Sequence, residues 1–160
     1  MFNIEQFNFG GIGVVFASTV YEYAKRFMDA YAAVMRPLSE ELGMARPAVD
    51  ILLFLANNPE YTTARDIVEV RSIKANLVSQ HVDRMVREGY LCRKEVQGDR
   101  RKRDLSLTEK AMPIIEAGRR MQTDFFETLF HGISEEEKRA FFETMDTMSR
   151  NMDKILKGID

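Results

Sequence analysis

A chain of 160 residues is long enough for one globular domain, or for one domain with additional dimerisation helices. Its composition, 45% hydrophobic and 30% charged with a single cysteine, excludes a disordered chain and an internal disulfide, so a reducing cytoplasm is the expected compartment. The formal net charge of −2 excludes a uniformly basic nucleic-acid binder, so such a function would need a locally basic segment.

The N-terminal segment predicts an apolar arm followed by a helix. Residues 9–20 are uncharged, but no basic segment precedes them and the run is too short for a bilayer, so we expect neither a signal peptide nor a membrane span. The glycines among residues 10–13 predict a hinge, before which the arm either frays or, as we expect, packs on a partner subunit. Apolar residues at helical spacing predict a first helix over Val14–Met35 that Pro37 ends. Residues 1–36 are therefore interpreted as an arm and a dimerisation helix.

Glycine and proline residues delimit a second helix. Gly43 is placed as a C-terminal cap of the segment before it, and Pro47 fits the first turn of a new helix. The apolar residues Val49 and Ile51–Leu55 predict that this helix is buried on nearly all sides. The sequence Asn-Asn-Pro at residues 57–59 is expected to stop it.

Capping signals then predict a helix-turn-helix. Thr63–Asp66 is a capping-box pattern, so a short third helix is expected to run to about Val70. Ser72 is expected to cap a fourth helix over roughly residues 73–88, which Gly89 closes. Two helices joined by so short a turn are typical of a helix-turn-helix.

The fourth helix has an apolar face and a polar face. At about 100° per residue, Val78, Val82 and Met85 share the apolar face, and polar side chains lie opposite. Residues near the N-terminus of such a helix can reach base edges in the major groove, although a merely solvated face is the alternative. Leu77 either packs on a thymine methyl or is buried. We predict base readout by Asn76, Ser79 and Gln80, and phosphate contacts by Lys74, Arg84 and Arg87.

A β-hairpin with a basic tip follows. Residues 90–96 are rich in strand formers, and residues 105–107 alternate as a half-buried strand does. Gln-Gly-Asp at residues 97–99 supplies turn chemistry, so the four cations at residues 100–103 are placed in the loop tip. Residues 71–103 hold ten Lys and Arg against four Asp and Glu, a net charge of +6 on an otherwise acidic chain, which is typical of a nucleic-acid-binding surface.

Two segments around this hairpin carry a more specific pattern. Asp99-Arg100-Arg101 is followed, after three residues, by Leu-Ser-Leu-Thr at residues 105–108, and Val82–Leu91 precedes them. Both segments resemble the MarR family of transcriptional regulators, and the resemblance extends over roughly residues 38–112. It implies a mainly α-helical fold: a winged helix-turn-helix DNA-binding lobe at residues 38–112, with a two-stranded β wing and flanking dimerisation helices.

The resemblance also implies roles for individual residues. In the wing, Arg101 would enter the minor groove, oriented by Asp99, while neighbouring cations neutralise phosphates: Arg100, Lys102 and Arg103. A small-molecule pocket would lie between the dimerisation helices and the lobe, and its candidate lining residues are Tyr23, Phe27, Tyr31, Met44 and Phe125. Ile67-Val68 and Ala111 depart from the residues usual in the family, which affects packing and the start of the fifth helix.

Residues 113–160 predict two helices suited to dimerisation. Thr108 is expected to cap the fifth helix, with Pro113 in its second turn and Gly132 beyond its end. Ser134–Glu137 is a second capping box and opens the sixth helix. That helix carries an a/d seam suited to packing against a second subunit, formed by Phe141, Met145, Met148, Met152 and Ile155.

Motifs for catalysis, cofactors or metal ions are not recognisable, so we expect no enzyme, no cofactor and no metal site. His81 and His131 are fifty residues apart, and His81 is expected to pack at the core edge. Cys92 is expected to be a small buried residue. The alternative, favoured by the adjacent cations Arg93 and Lys94, is that its thiol is redox-active.

Together these features predict a homodimer that binds double-stranded DNA at a pseudo-palindromic operator. The family resemblance implies that it represses transcription by occlusion until a small apolar or aromatic ligand releases it. One alternative is a winged-helix module whose wing binds an acidic protein, which a steep salt dependence and strong sequence preference would exclude. The other is a ligand-binding dimer without operator recognition, against which Asn76, Gln80 and Arg101 argue.

Overall fold

Six α-helices and a two-stranded antiparallel sheet form the described part of the chain. The structure is a computed structural model that describes the backbone of residues 12–71, 73–96 and 99–158, and the side chains of residues 18–71, 73–94 and 104–158. The predicted N-terminal arm lies outside these residues. The predicted fold class, a mainly α-helical winged helix-turn-helix with a two-stranded wing, is confirmed.

The first helix, α1 (Ile12–Glu41), is longer than predicted at both ends. It begins within the glycine segment that was expected to be a hinge, and it continues through Pro37, which was expected to end it. Proline lacks the N–H that would bond four residues back, so its place in the helix has a local cost. Met35 and Leu38, on either side, are 0% and 5% exposed, and their burial offsets that cost. Gly43, at φ +57°, follows the helix in the left-handed conformation, as predicted for a C-terminal cap.

The second helix, α2 (Arg46–Asn57), lies at the centre of the hydrophobic core. Pro47 occupies its first turn, as predicted. Every residue of Ile51–Leu55 is buried, which confirms the predicted all-round burial. The helix stops at Asn58, whose side-chain Nδ2 donates to the carbonyl oxygen of Phe54 at 2.8 Å. This side chain satisfies one of the carbonyls that a helix end leaves without a partner.

The helix-turn-helix consists of α3 (Ala64–Arg71) and α4 (Ala75–Arg87). The capping box before α3 is confirmed, because the Asp66 N–H donates to Thr63 Oγ1 at 3.2 Å and the Thr63 N–H donates to Asp66 Oδ2 at 2.8 Å. The prediction that Ser72 caps α4 is wrong. Lys74 is the N-cap, because its backbone is extended and its carbonyl accepts the first helical bonds, and its own side chain makes no capping hydrogen bond.

The wing is a hairpin of β1 (Leu91–Val96) and β2 (Asp99–Leu107), in which Leu91 pairs with Leu107 and Cys92 with Ser106. The register shifts between Glu95 and Val96. The basic residues 100–103 were predicted in a loop tip, but the structure places their backbone in β2. β2 is longer than predicted because it pairs with β1 as far as Val96, whose partner is Asp99.

A single 3₁₀ turn, Glu109–Ala111, leads from the wing into α5 (Met112–Leu129). Pro113 is therefore in the first turn of α5 and not in the second. The Thr108 side chain was predicted to cap the fifth helix, but it forms no capping hydrogen bond. Its hydroxyl donates instead to the Gly89 carbonyl oxygen at 2.7 Å. Gly132, at φ +78°, follows α5 as expected.

The last helix is α6 (Glu135–Lys157), and its predicted capping box at Ser134 is confirmed. The chain divides into two compact units, Met1–Gln122 and Thr123–Asp160, which we call the N-terminal and C-terminal units. The proposed division into residues 1–36, 38–112 and 113–160 stays a prediction. None of the described helices is both long and apolar enough to cross a membrane.

Candidate nucleic-acid interface

The outer face of α4 is a polar, exposed surface, and its inner face is fixed in the core. Val78 and Val82 are 0% exposed and Met85 is 1% exposed, as the periodicity predicted. The three candidates for base readout, Asn76, Ser79 and Gln80, are all exposed. Leu77 is 39% exposed, so it lies at the surface beside them and is not a core residue. The core contacts of α4 therefore present its polar side chains to solvent.

The three cations predicted to contact phosphates are not equivalent. Arg84 forms an ion pair with Glu88, the C-cap residue of α4, from Nε to Oε1 at 2.7 Å, and this carboxylate raises the pKa of the guanidinium. Lys74 and Arg87 are also exposed, and among the side chains that the structure describes neither has an ion-pair partner. Lys74 and Arg87 are thus more readily available to a phosphate than Arg84.

The C-terminus of α4 is joined to the wing by a tight backbone motif. Gly89, at φ +78°, donates its N–H to the Val86 carbonyl at 3.1 Å, and Tyr90 donates to the Met85 carbonyl at 2.9 Å. This pair of bonds is a Schellman motif, which requires the left-handed conformation that glycine adopts without strain. The direction in which β1 leaves α4, the recognition helix of the predicted helix-turn-helix, is therefore set by the backbone.

Two side chains from beyond β2 reinforce this junction. The Lys110 ammonium donates to the Glu88 carbonyl oxygen at 2.7 Å and lies 4.5 Å from the centre of the Tyr90 ring. The cation thus satisfies a C-terminal carbonyl of α4 and interacts favourably with its dipole. The Thr108 hydroxyl donates to the Gly89 carbonyl, and the Thr108 N–H donates to the Tyr90 carbonyl at 3.1 Å. The base of the wing is thereby held against the end of α4.

The edge of β2 is attached to the loop that precedes α3. The Leu105 N–H donates to the Thr62 carbonyl oxygen at 2.7 Å, and Thr62 Oγ1 donates to Asp104 Oδ1 at 2.8 Å. Leu105 and Leu91 are 6% and 1% exposed, so the apolar face of the hairpin base is in the core. The sequence gives no sign of the role of Thr62, because residues 62 and 104 belong to distant segments without a shared pattern.

The basic part of the wing is described only by its backbone. Residues 99–103 lie in β2, while their side chains are outside the described residues. The roles assigned to Asp99, Arg101 and the three neighbouring cations therefore stay predictions. The hairpin places these five residues beyond the positions where β1 and β2 are attached to the core.

Cys92 is exposed and not buried, which corrects the prediction. Successive residues of a strand point to opposite faces, and Leu91 takes the buried side. Arg93, on the same face as Leu91, instead forms an ion pair with Asp83 of α4, from Nη2 to Oδ1 at 2.5 Å. This pair was not predicted, because nothing in the periodicity of either segment relates two residues in different elements.

An acidic residue lies near the start of α2. Asp50 is half-buried, with its Oδ2 3.6 Å from Arg46 Nε, a nitrogen that is buried without a hydrogen-bond partner. Burial raises the pKa of the Asp50 carboxyl above its ordinary value, and the charges of Arg46 and Arg71 oppose this effect. The described residues include no group of three His, Cys, Asp or Glu side chains that could hold a metal ion.

The predicted ligand-pocket residues have different environments. Met44 is part of the core, and Tyr31 packs against the core while its hydroxyl accepts a hydrogen bond from Gln122 Nε2 at 2.6 Å. Phe27 is half-buried, and Tyr23 is 62% exposed. Phe125 is buried and belongs to the C-terminal unit. The structure thus places Tyr31 and Met44 at one core and Tyr23 at the surface, and a pocket lined by these residues stays a prediction.

A family model described as MarR family matches residues 42–102 of the chain. This match covers the helix-turn-helix and most of the wing, so the resemblance inferred from the motifs of the recognition helix and the wing is confirmed over these residues. A comparison with curated proteins finds no match.

Solved structures with the same fold include transcriptional regulators. The chain is 22% identical to the transcriptional regulator PA3341 at a TM-score of 0.73, with 87% of this chain and 98% of that chain covered. It is 14% identical to a MarR-family regulator from Listeria monocytogenes in complex with a 26mer DNA (TM-score 0.71; 88% and 95% covered). It is 18% identical to Bordetella bronchiseptica BpsR, whose DNA binding is regulated by 6-hydroxynicotinic acid (TM-score 0.62; 81% and 92% covered).

Proposed function

We propose that this protein is a dimeric, sequence-specific DNA-binding transcriptional regulator that represses by occluding its operator. The outer face of α4 supports this proposal most strongly. Asn76, Ser79 and Gln80 are exposed near the start of a helix whose opposite face is locked in the core. Asn and Gln side chains match adenine in the major groove, and Ser bonds to either class of base. The regulator would act in the cytoplasm and would not be an enzyme.

The wing supports the same proposal by its position and its charge. The hairpin leaves the C-terminus of α4 at a fixed direction, and its outer part contains four consecutive cations, Arg100–Arg103. An arginine in a narrow minor groove is favoured by the concentrated negative potential there, which is the role proposed for Arg101. Lys74 and Arg87 would position the helix on the phosphates without reading the sequence.

Dimerisation is proposed from the seam of α6, formed by Phe141, Met145, Met148, Met152 and Ile155. Each of these side chains is at least 40% exposed, and α6 has no buried residue among the described side chains. Apolar residues that alternate at spacings of three and four form the contact face of a coiled coil, so a second copy of α6 is a fitting partner. A dimer would place two recognition helices about one turn of DNA, ~34 Å, apart.

Release by a small ligand is the third part of the proposal. The DNA binding of BpsR, a protein with a similar fold, is regulated by 6-hydroxynicotinic acid, a small aromatic acid. Tyr31 and Met44 would offer a polar hydroxyl and an adaptable thioether to a ligand of this kind. If the ligand weakens DNA binding by a given factor, DNA must weaken ligand binding by the same factor. Isothermal titration with and without DNA would test this reciprocity.

The decisive experiment is a selection of duplexes from a randomised pool by the wild-type protein, beside Arg101→Ala and Arg150→Ala. Arg150 is an exposed arginine of α6, so Arg150→Ala removes the same charge at a position distant in sequence from the predicted DNA-binding residues. We expect an inverted repeat to be enriched, and we expect Arg101→Ala to weaken its binding by about tenfold or more while Arg150→Ala does not. If the wild-type protein enriches no sequence, the regulator proposal is wrong. The hairpin would then be tested as a binding surface for an acidic protein.

A further inference from the structure

Asp83 is an acidic residue in the middle of the surface proposed to bind DNA. It lies on the outer face of α4, three residues after Gln80 and four residues before Arg87, and its side chain is 51% exposed. A carboxylate at this position opposes the charge of the phosphate backbone. Its presence on this face therefore requires a partner or a role.

The partner is supplied by the wing. Arg93 Nη2 lies 2.5 Å from Asp83 Oδ1, so the guanidinium donates a charge-assisted hydrogen bond directly to the carboxylate. Among the ion pairs of the described side chains, the other six each join residues three or four apart, whereas Asp83 and Arg93 are ten residues apart and belong to α4 and β1. The pair thus connects the recognition helix directly to the wing.

We propose that Asp83 and Arg93 form a strut that holds the wing at a fixed orientation to the recognition helix, so that Arg93 is a positioning residue for DNA recognition. This inference rests on the proposed DNA-binding function. It assigns to Asp83 a structural role toward Arg93 and not a direct contact with a base or phosphate.

The position of the strut explains what it adds to the other attachments of the wing. The Schellman motif and Lys110 hold the hairpin where it leaves α4, and Thr62 holds the edge of β2. A ribbon attached at its base and along one edge can still roll about that edge. Arg93 is on the other strand, three residues beyond Tyr90 or about 10 Å along β1, so its bond to Asp83 restrains the opposite edge.

The exposure of the pair argues that its role is orientation and not stability. The side chains of Arg93 and Asp83 are 30% and 51% exposed, and ion pairs with this exposure contribute little to the free energy of unfolding. A change of a few degrees at the base of the hairpin, however, would displace residues 99–103 at its outer part. Loss of the strut should therefore affect the binding of a specific duplex more than the folding of the protein.

The test compares Asp83→Ala, Arg93→Ala, the double variant and the reversed pair Asp83→Arg/Arg93→Asp. The matched controls are Asp146→Ala and Arg150→Ala, which remove the partners of an exposed ion pair on the face of α6 opposite the seam. The probe is the duplex that the wild-type protein enriches from a randomised pool, with a scrambled duplex of the same length. The measured quantities are affinity for both duplexes, the slope of log affinity against log salt, and the melting temperature.

Asp83→Ala gives the sharpest result. It removes a negative charge from the DNA-binding surface and introduces a better helix former, and both changes would strengthen binding if Asp83 were only a solvated acid. The strut predicts that Asp83→Ala weakens binding to the selected duplex by about tenfold, that Arg93→Ala does the same, and that the double variant is no weaker than either. We expect the reversed pair to recover part of the loss, and the controls and the scrambled duplex to show no such change.

Two results would overturn the strut. One is wild-type or tighter binding by Asp83→Ala. The other is a loss in Arg93→Ala with a salt slope that is smaller by about 0.9, because that is the signature of a lost phosphate contact. If the wild-type protein selects a duplex and all variants bind this duplex equally well, the strut is refuted and the proposed function stands. A wild-type protein that selects no duplex would refute both.

Discussion

The two units of the chain use amphipathic helices in opposite ways. In the N-terminal unit, α2 buries seven of its twelve residues, and the helices and strands of the lobe close around them. In the C-terminal unit, α6 has 23 residues and no buried side chain among those described. Both helices have an apolar face, so the pattern alone does not decide whether it is covered within the same chain. We infer that the lobe is stabilised by its own core, whereas the proposed dimer would cover α6 with a second copy.

The same contrast applies to the capping boxes at Thr63 and Ser134. Each side chain accepts a hydrogen bond from the N–H three residues later, and each opens a helix where the sequence predicted one. The short α3 buries Ile67 in the lobe core, whereas the longer α6 remains exposed. A capping signal therefore fixes where a helix begins and carries no information about its packing partner.

The largest effect is expected from a cavity in the core of the lobe. Leu52 is 0% exposed at the centre of α2, so Leu52→Ala should lower the free energy of unfolding by ~2–5 kcal/mol through lost burial and an unfilled cavity. Chemical denaturation measures this change directly. If the loss is below ~1 kcal/mol, the lobe does not depend on its own core and the comparison between the units fails.

A charge in the α6 seam should act on assembly and not on the lobe. Met148 is 40% exposed in the single chain, so Met148→Glu has little effect there, but in a dimer it would bury an unpaired carboxylate. We expect the dimer dissociation constant to rise by about 100-fold or more in analytical ultracentrifugation. Thr147→Glu introduces the same charge at a neighbouring position outside the seam and should leave assembly nearly unchanged. Equal dimerisation of both variants would contradict the assignment of the seam.

The smallest effect is expected from Asp50, a half-buried acidic residue between the buried residues Val49 and Ile51 of α2. Burial raises the pKa of its carboxyl, so the folded state binds the proton more tightly than the unfolded state. The ionised carboxylate therefore costs stability at neutral pH, and this cost disappears as the pH falls through the raised pKa. Asp50→Asn should melt at a higher temperature than the wild-type protein at neutral pH, with an advantage that shrinks on acidification. A lower melting temperature at neutral pH would mean that attraction to Arg46 and Arg71 outweighs burial.

Much of the lobe could be predicted from the sequence because its signals are local and mutually consistent. The apolar run of α2, the inner face of α4 and the alternation around Leu105 each indicate both an element and its buried side. The failures occurred where a distant contact overrides a local signal. Pro37 did not end α1 because Met35 and Leu38 are buried around it, and Thr108 does not cap the next turn because it bonds to the end of α4.

The candidate site was predicted only in part for a related reason. Asn76, Ser79 and Gln80 could be found because helical periodicity places them opposite a core face. The contact between Asp83 and Arg93 and the attachment of Thr62 to β2 depend on how separate elements approach each other, and no periodic pattern contains that information. Cys92 was misplaced by one step of alternation, since its neighbour Leu91 takes the buried side of β1.

The most direct test of the central claim is a hydroxyl-radical footprint of the wild-type protein on the duplex that it selects. Two copies of the lobe, joined through α6, should protect two segments related by a twofold axis, with centres about one helical turn, ~34 Å, apart. The salt dependence measured on the same duplex should be steep, because each neutralised phosphate adds about 0.9 to the slope. A single protected segment bound by one protomer, or protection that is the same on a scrambled duplex, would contradict a dimeric sequence-specific regulator.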